Sequence, residues 1–284
     1  MDWIFFSLIA VVSLGVSMAL YKMPSFQGYS SLHSTLWTNI FTFIIAVVVF
    51  FIFTSGDGLF VISWYGLLWG MFFALTMAQQ KILLKRMETN TLLPVTSSLG
   101  NILTIGLGII LFSEFISLLQ YIAITLIILS VFLYGKKKGG LILDVNSISL
   151  GVGIIIASTV SKVIQKFGAI HDTIFHFSLY QYSGAIICAL VLIFVFEKKS
   201  FSTLFVIERT WKISLLIAIF SAIGGYSLLK ALSIGPLSGV YAVQPSYIIV
   251  TALLGMVLYK ESLTRYKITL MVITIAGVIL LKLG

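Results

Sequence analysis

The sequence predicts an all-α polytopic membrane protein with ten transmembrane helices in two inverted five-helix repeats. Three observations lead there. Of the 284 residues 60% are apolar and only 10% charged, against about 25% charged in a soluble domain. The apolar residues run on without interruption for about 20 positions, the length a helix needs to cross ~30 Å of hydrocarbon at 1.5 Å per residue. They do not alternate as in a transmembrane barrel. Finally, one offset of 143 to 147 residues relates the two halves of the chain. The net charge of +9 predicts no nucleic-acid partner, because the basic residues sit at the ends of apolar runs instead of on one face.

Charged residues punctuate the spans. The 19 uncharged residues between Asp2 and Lys22 set the first span at about 3–21. Met1-Asp2-Trp3 has no basic stretch, so this run reads as a retained span and not a cleaved signal. The second span is predicted at 31–53, and Gly56-Asp57-Gly58 turns the chain. The third, at 60–80, is closed by Lys81, Lys85, Arg86 and Glu88. The fourth covers 91–113 and ends at Glu114; the fifth covers 117–135. Lys136-Lys137-Lys138-Gly139-Gly140 is a basic linker near mid-chain. It divides an N-terminal repeat, 1–138, from a C-terminal repeat, 139–284. The second repeat holds spans at 146–167, 173–196, 211–230, 236–259 and 263–281.

The offset pairs Ser17–Lys22 with Ser161–Lys166, His33 with His176, Leu83-Leu84-Lys85 with Leu228-Leu229-Lys230, and Glu114 with Glu261. Five spans per repeat means the second repeat enters the membrane from the opposite side. Inverted repeats of this kind recur in secondary transporters, where two halves rock about a site at their interface. Fourteen Lys and Arg fall in the connections on one side and four on the other. The richer side is therefore predicted to be cytoplasmic, with both termini extracytoplasmic, and the protein to be a multi-pass component of the cytoplasmic (inner) membrane.

The end of each half resembles a known family. Thr91-Leu92-Leu93-Pro94-Val95 leads through a span to Phe112-Ser113-Glu114. Ser233-Ile234-Gly235-Pro236-Leu237 leads to Tyr259-Lys260-Glu261-Ser262-Leu263 and on to Ile275-Ala276-Gly277-Val278. This is similar to the EamA-type half of the drug/metabolite transporter superfamily, and the similarity covers nearly the whole chain. The resemblance implies a central cavity lined by helices one to four and six to nine, with the fifth and tenth peripheral. It also implies a cargo among amino acids, nucleobases, sugars, sugar derivatives and drugs. Small multidrug exporters of the same superfamily exchange protons through a Glu in the first helix. Here that helix has Ser7, Ser13 and Ser17 but no carboxylate, so that mechanism is not expected.

No enzyme constellation is visible, and three histidines and one cysteine predict no metal site and no cofactor. Lys162 is the sharpest candidate for substrate binding, with Ser158 and Gln165 at i−4 and i+3 on the same helix face. An ammonium inside a span costs about 2.5–3.5 kcal/mol on insertion scales. It points either to an anionic or carboxylate substrate or to snorkelling toward the interface. Two polar stripes are predicted to face each other: Ser97, Ser98 and Asn101 with Thr96 on the fourth helix, and Tyr241, Gln244 and Thr251 on the ninth. The competing reading is interhelical hydrogen bonding. Asn39, Gln79, Gln181 and Tyr226 are further candidates. Pro94, Pro245, Lys85, Lys230, Glu114 and Glu261 are assigned gating or structural roles. Pro245 removes a backbone donor and is expected to kink the ninth helix.

The expected function is a secondary transporter for a small polar metabolite, such as an amino acid or nucleobase, working by alternating access in the export direction. It is not expected to be an enzyme. Its partners are the solute and the lipid bilayer, with a monomer as the default state and a homodimer as the alternative. The alternative function is a lipid flippase or non-transporting scaffold of the same fold, with Lys162, Lys166 and Lys230 as a headgroup pocket.

Overall fold

The computed structural model describes residues 2–26, 31–54, 61–84, 89–135, 145–197, 211–260 and 264–283. Every regular element among them is helical: α1 (Trp3–Phe26), α2 (Ser31–Thr54), α3 (Trp64–Leu84), α4 (Thr89–Phe112), α5 (Leu118–Gly135), α6 (Val145–His171), α7 (Ile174–Glu197), α8 (Trp211–Ile234), α9 (Leu237–Val243), α10 (Tyr247–Tyr259) and α11 (Arg265–Leu283). The 3₁₀ turn Gln244–Ser246 joins α9 to α10, so these two helices make the ninth span and α11 the tenth. Seven described stretches are long and apolar enough to cross a membrane. Three shorter apolar stretches lie in α3, α4 and α5. The chain is a polytopic helical membrane protein.

Helix bounds follow local chemistry. Pro236 is extended, at φ −68° and ψ 144°, and α9 starts on the next residue, so the N–H that the proline lacks falls before the helix and costs nothing. Pro245 has no donor for the α ladder, and the chain tightens to 3₁₀ pairing, with Tyr247 N–H on the carbonyls of Gln244 and Pro245. Two described non-glycine residues have positive φ: Ser113 at 51° and Lys260 at 54°. Each ends the fourth or ninth span, one residue before a Glu. The third span begins at Trp64 instead of residue 60. The sixth and eighth run one turn beyond 167 and 230, to His171 and Ile234, because uncharged residues carry the helical ladder past the lysines used as sequence boundaries. Lys85 and Glu261 lie outside the described residues. Pro94 sits within α4.

α1 packs on α8 and along α10; α3 lies against α6 and α7; α2 against α7 and α8; α4 against α5, α6 and α9. α5 pairs with α11. That last pair meets through Ile124, Ile128, Leu270 and Met271 and through a 2.7 Å hydroxyl contact between Ser130 and Thr274. Close backbone approach drives the α3–α7 seam. A Cβ on Gly66 would stand 2.7 Å from the Phe177 carbonyl oxygen, and one on Gly70 would stand 2.7 Å from the Ala185 nitrogen. Small residues at i and i+4 let membrane helices meet in this way.

Contacts define one end of the bundle. Trp3 covers Gly235 and Gly239, Phe53 stacks on Phe175 at 5.3 Å, and Ser63 Oγ donates to Asp172 Oδ2. We call this the Trp3 end. At the other end Tyr259 Oη donates to the Ala19 carbonyl at 2.7 Å.

Candidate functional site

A cavity of about 180 Å³ lies at the centre of the bundle. Residues from α1, α2, α3, α4, α6, α7, α8, α9, α10 and the 3₁₀ turn line it, and among the described residues none from α5 or α11 does.

The α6 face predicted from spacing points into it: Ser158, Lys162 and Gln165 all line the wall. Lys162 Nζ donates to Asn101 Oδ1 at 2.5 Å and lies 5.3 Å from the centre of the Tyr241 ring. Gly100 makes this approach feasible, since a Cβ there would sit 3.0 Å from Ser158 Oγ and 3.6 Å from Lys162 Nζ. Thr159 Oγ1 fastens the same crossing with a 3.2 Å bond to the Gly100 carbonyl. Tyr241 Oη donates to Gln165 Oε1 at 2.5 Å. The stripes on the fourth and ninth spans thus meet α6 through Asn101 and Tyr241, with Ser97, Gln244 and Pro245 also on the wall.

Asn39 on α2 and Gln181 on α7 are 3% and 1% exposed and also line the cavity. Among the described residues Asn39 Nδ2 and Gln181 Oε1 have no hydrogen-bond partner. Trp69 and Phe73, stacked at 4.7 Å, form an apolar wall with Leu14, Met18 and Leu228.

Other candidates lie elsewhere. Ser98 is buried off the wall, about 100° around α4 from Ser97. Gln79 points at Gly153, and its neighbour Gln80 lines the cavity instead. Thr251 bonds the Gly15 carbonyl at 3.1 Å. The 3₁₀ turn advances about 120° per residue instead of 100°, so α10 does not continue the face set by Tyr241 and Gln244. Tyr226 packs 6.2 Å from Phe175. Lys230 is exposed. Sequence reasoning missed Thr38 and Thr42, and also Phe73 and Thr76, which share a face with Trp69 and Gln80. Their i, i+4 and i, i+4, i+7, i+11 spacings were the available signal.

At the Trp3 end polar contacts close the bundle. Beyond the Tyr241–Gln165 bond, Lys166 is buried and donates to the carbonyls of Leu232 and Gly235, each at 2.7 Å. Its ammonium lies 6.0 Å from the Phe112 ring centre, and Phe112 packs 4.9 Å from Phe167. The Glu114 carboxylate caps α9: it accepts from Leu237 N at 2.5 Å, Ser238 N at 2.9 Å and Ser238 Oγ at 2.6 Å. A carboxylate is the natural ligand for unpaired N–H groups at the positive end of a helix. Lys162, Lys166 and Lys230 therefore do not converge on a headgroup pocket: one faces the cavity, one is tied to carbonyls and one points outward.

Residues 146–283 match the EamA-like transporter family. This stretch, just under half of the chain, is similar to that family. The members of that family are transporters. A solved crystal structure whose description names no activity is similar in fold, with a TM-score of 0.77 at 12% identity, over 99% of this chain and 95% of its own. That neighbour extends the shared fold across the first half as well. No curated protein matches the sequence.

Proposed function

We propose that this EamA-like protein is a secondary transporter that exports a small polar metabolite across the cytoplasmic membrane by alternating access. The observation behind this reading is the one-sided cavity. Glu114, Lys166 and the Tyr241–Gln165 pair seal the Trp3 end, while the lining continues the other way as far as Tyr21 and Gln80. By the excess of Lys and Arg in its connections, the end that the lining approaches through Tyr21 and Gln80 faces the cytoplasm, the side from which an exporter loads.

Inverted repeats fit the packing. Exchanging each of the first five spans with its counterpart in the second five turns the α1–α8 contact into α6–α3, α3–α7 into α8–α2, and α4–α6 into the contact of the ninth span with α1. All of these occur. Pairs that map onto themselves, α2–α7 and α5–α11, also occur. Ser130 and Thr274, 144 residues apart, touch across the second of these. Ser113 and Lys260, the two left-handed residues, are related by the offset that relates Glu114 to Glu261.

Purified protein in liposomes loaded with the small-molecule fraction of a cell extract tests the reading. The expected result is selective loss of one or a few polar solutes, measured by mass spectrometry against protein-free liposomes. Loss of none, with fluorescent lipid exchanged between leaflets, would move the function to lipids.

A further inference from the structure

We propose that the cavity takes an organic anion: a carboxylate on a small apolar, ring-sized body, seated on Lys162 and bearing a neutral polar group that meets Asn39 and Gln181. This deepens the transport reading and rests on it.

The two ammonium groups of α6, Lys166 buried and Lys162 half-buried on the cavity wall, differ in kind. Lys166 has two backbone carbonyls at 2.7 Å on the side where Glu114 caps α9, so its place is structural. Lys162 lies one turn deeper, on the cavity wall, and its hydrogen-bond partner is the neutral amide oxygen of Asn101. An ammonium has three donors and no acceptor. No described residue lining the cavity is Asp or Glu, so none of these residues supplies a counter-charge there. A buried charge without a partner is unfavourable, and a substrate carboxylate is the group that removes the deficit.

The remaining walls describe the rest of the solute. Trp69 and Phe73 offer aromatic surface to an apolar body. Asn39 Nδ2 and Gln181 Oε1 offer one donor and one acceptor, both buried and unpaired, which suits a hydroxyl, since a hydroxyl both donates and accepts. Cations and zwitterions fit less well. A substrate ammonium would find no carboxylate, and the Tyr241 ring that could receive it already has Lys162 over it at 5.3 Å.

A matched series of probes tests this: 3-(4-hydroxyphenyl)propionate as anion, its primary amide as neutral form, tyramine as cation and tyrosine as zwitterion. Each is titrated against the full-length protein in nanodiscs, with melting temperature as readout, because a ligand of the native state raises it by mass action. The expected result is a rise of several degrees with the propionate and at least tenfold weaker binding of the other three. Lys162→Met and Lys162→Gln should each weaken the propionate at least tenfold, and Lys162→Arg should retain it. If both neutral variants fail to fold, the wild-type preference among the four probes decides alone. Binding of tyramine or the amide as tightly as the propionate overturns the proposal, as does propionate binding that survives loss of the lysine. Response to none of the four overturns it too. The transport reading is judged separately by solute loss from the loaded liposomes, so a protein that moves a cation there sinks the anion proposal and leaves transport intact.

Discussion

Glu114→Ala is expected to open the Trp3 end of the cavity. The Glu114 carboxylate holds two backbone N–H groups and one hydroxyl at the start of α9. Hydrogen bonds to a charged group contribute about 1.5–3 kcal/mol each. They share one carboxylate and so do not add, and about 3 kcal/mol for the set is a fair magnitude. A loss on that scale moves a two-state equilibrium by roughly a hundredfold. Alanine also leaves the N-terminus of α9 uncapped beside the Lys166 ammonium. Glutamine retains one carbonyl acceptor and should give an intermediate effect. The check uses Leu228→Cys, on the cavity wall, in a Cys188→Ala background. Labelling by a membrane-impermeant maleimide added from the Trp3 side should rise at least tenfold when Glu114 is replaced. An unchanged rate would mean that this carboxylate does not hold the closed end.

Gly70→Val is expected to prevent correct folding. The Cβ of any larger residue would meet the α7 backbone, with the Ala185 nitrogen at 2.7 Å and the Gln181 carbonyl on the same side. Backbone cannot turn aside as a side chain does, so α3 and α7 must separate. Overpacking typically costs 1–3 kcal/mol, occasionally more. The affected seam positions both Gln181 and the Trp69–Phe73 wall, so solute binding should fail with it. Size-exclusion chromatography of the solubilised protein should show a severalfold loss of the monodisperse peak. Gly106→Ala is the control: a Cβ there meets nothing within 4 Å, and alanine favours helix by about 1 kcal/mol, so its peak should be unchanged or larger.

The spans were legible because charge is so unfavourable in hydrocarbon that Lys22, Glu114 and Lys212 fall near helix ends. What carried less information was helix phase. Gln79 and Gln80 are equivalent as polar residues near a span end, and only packing shows that Gln80 reaches the cavity. Ser97 and Ser98 are separated by the same rotation. The Thr251 face was misplaced because a 3₁₀ turn at Pro245 changes the phase, and sequence shows the proline but not how the chain accommodates it. Lys162 stood out because no charge lies within 17 residues before it. Lys166 could be grouped only with Lys162 and Lys230 as a basic set, since the carbonyls that hold it belong to residues 66 and 69 positions away. The Glu114 cap on Leu237 and Ser238 spans more than 120 residues and has no local signature.

The most direct measurement is the two-sided accessibility of one cavity residue. Thr42 is 1% exposed and lines the cavity from α2. Thr42→Cys in the Cys188→Ala background is reacted with an impermeant maleimide in right-side-out and in inside-out vesicles. Alternating access with this closed end predicts reaction from the face bearing the basic connections at least ten times faster than from the opposite face, with the slower rate still measurable. No reaction from either face would show a sealed core and contradict transport through this cavity.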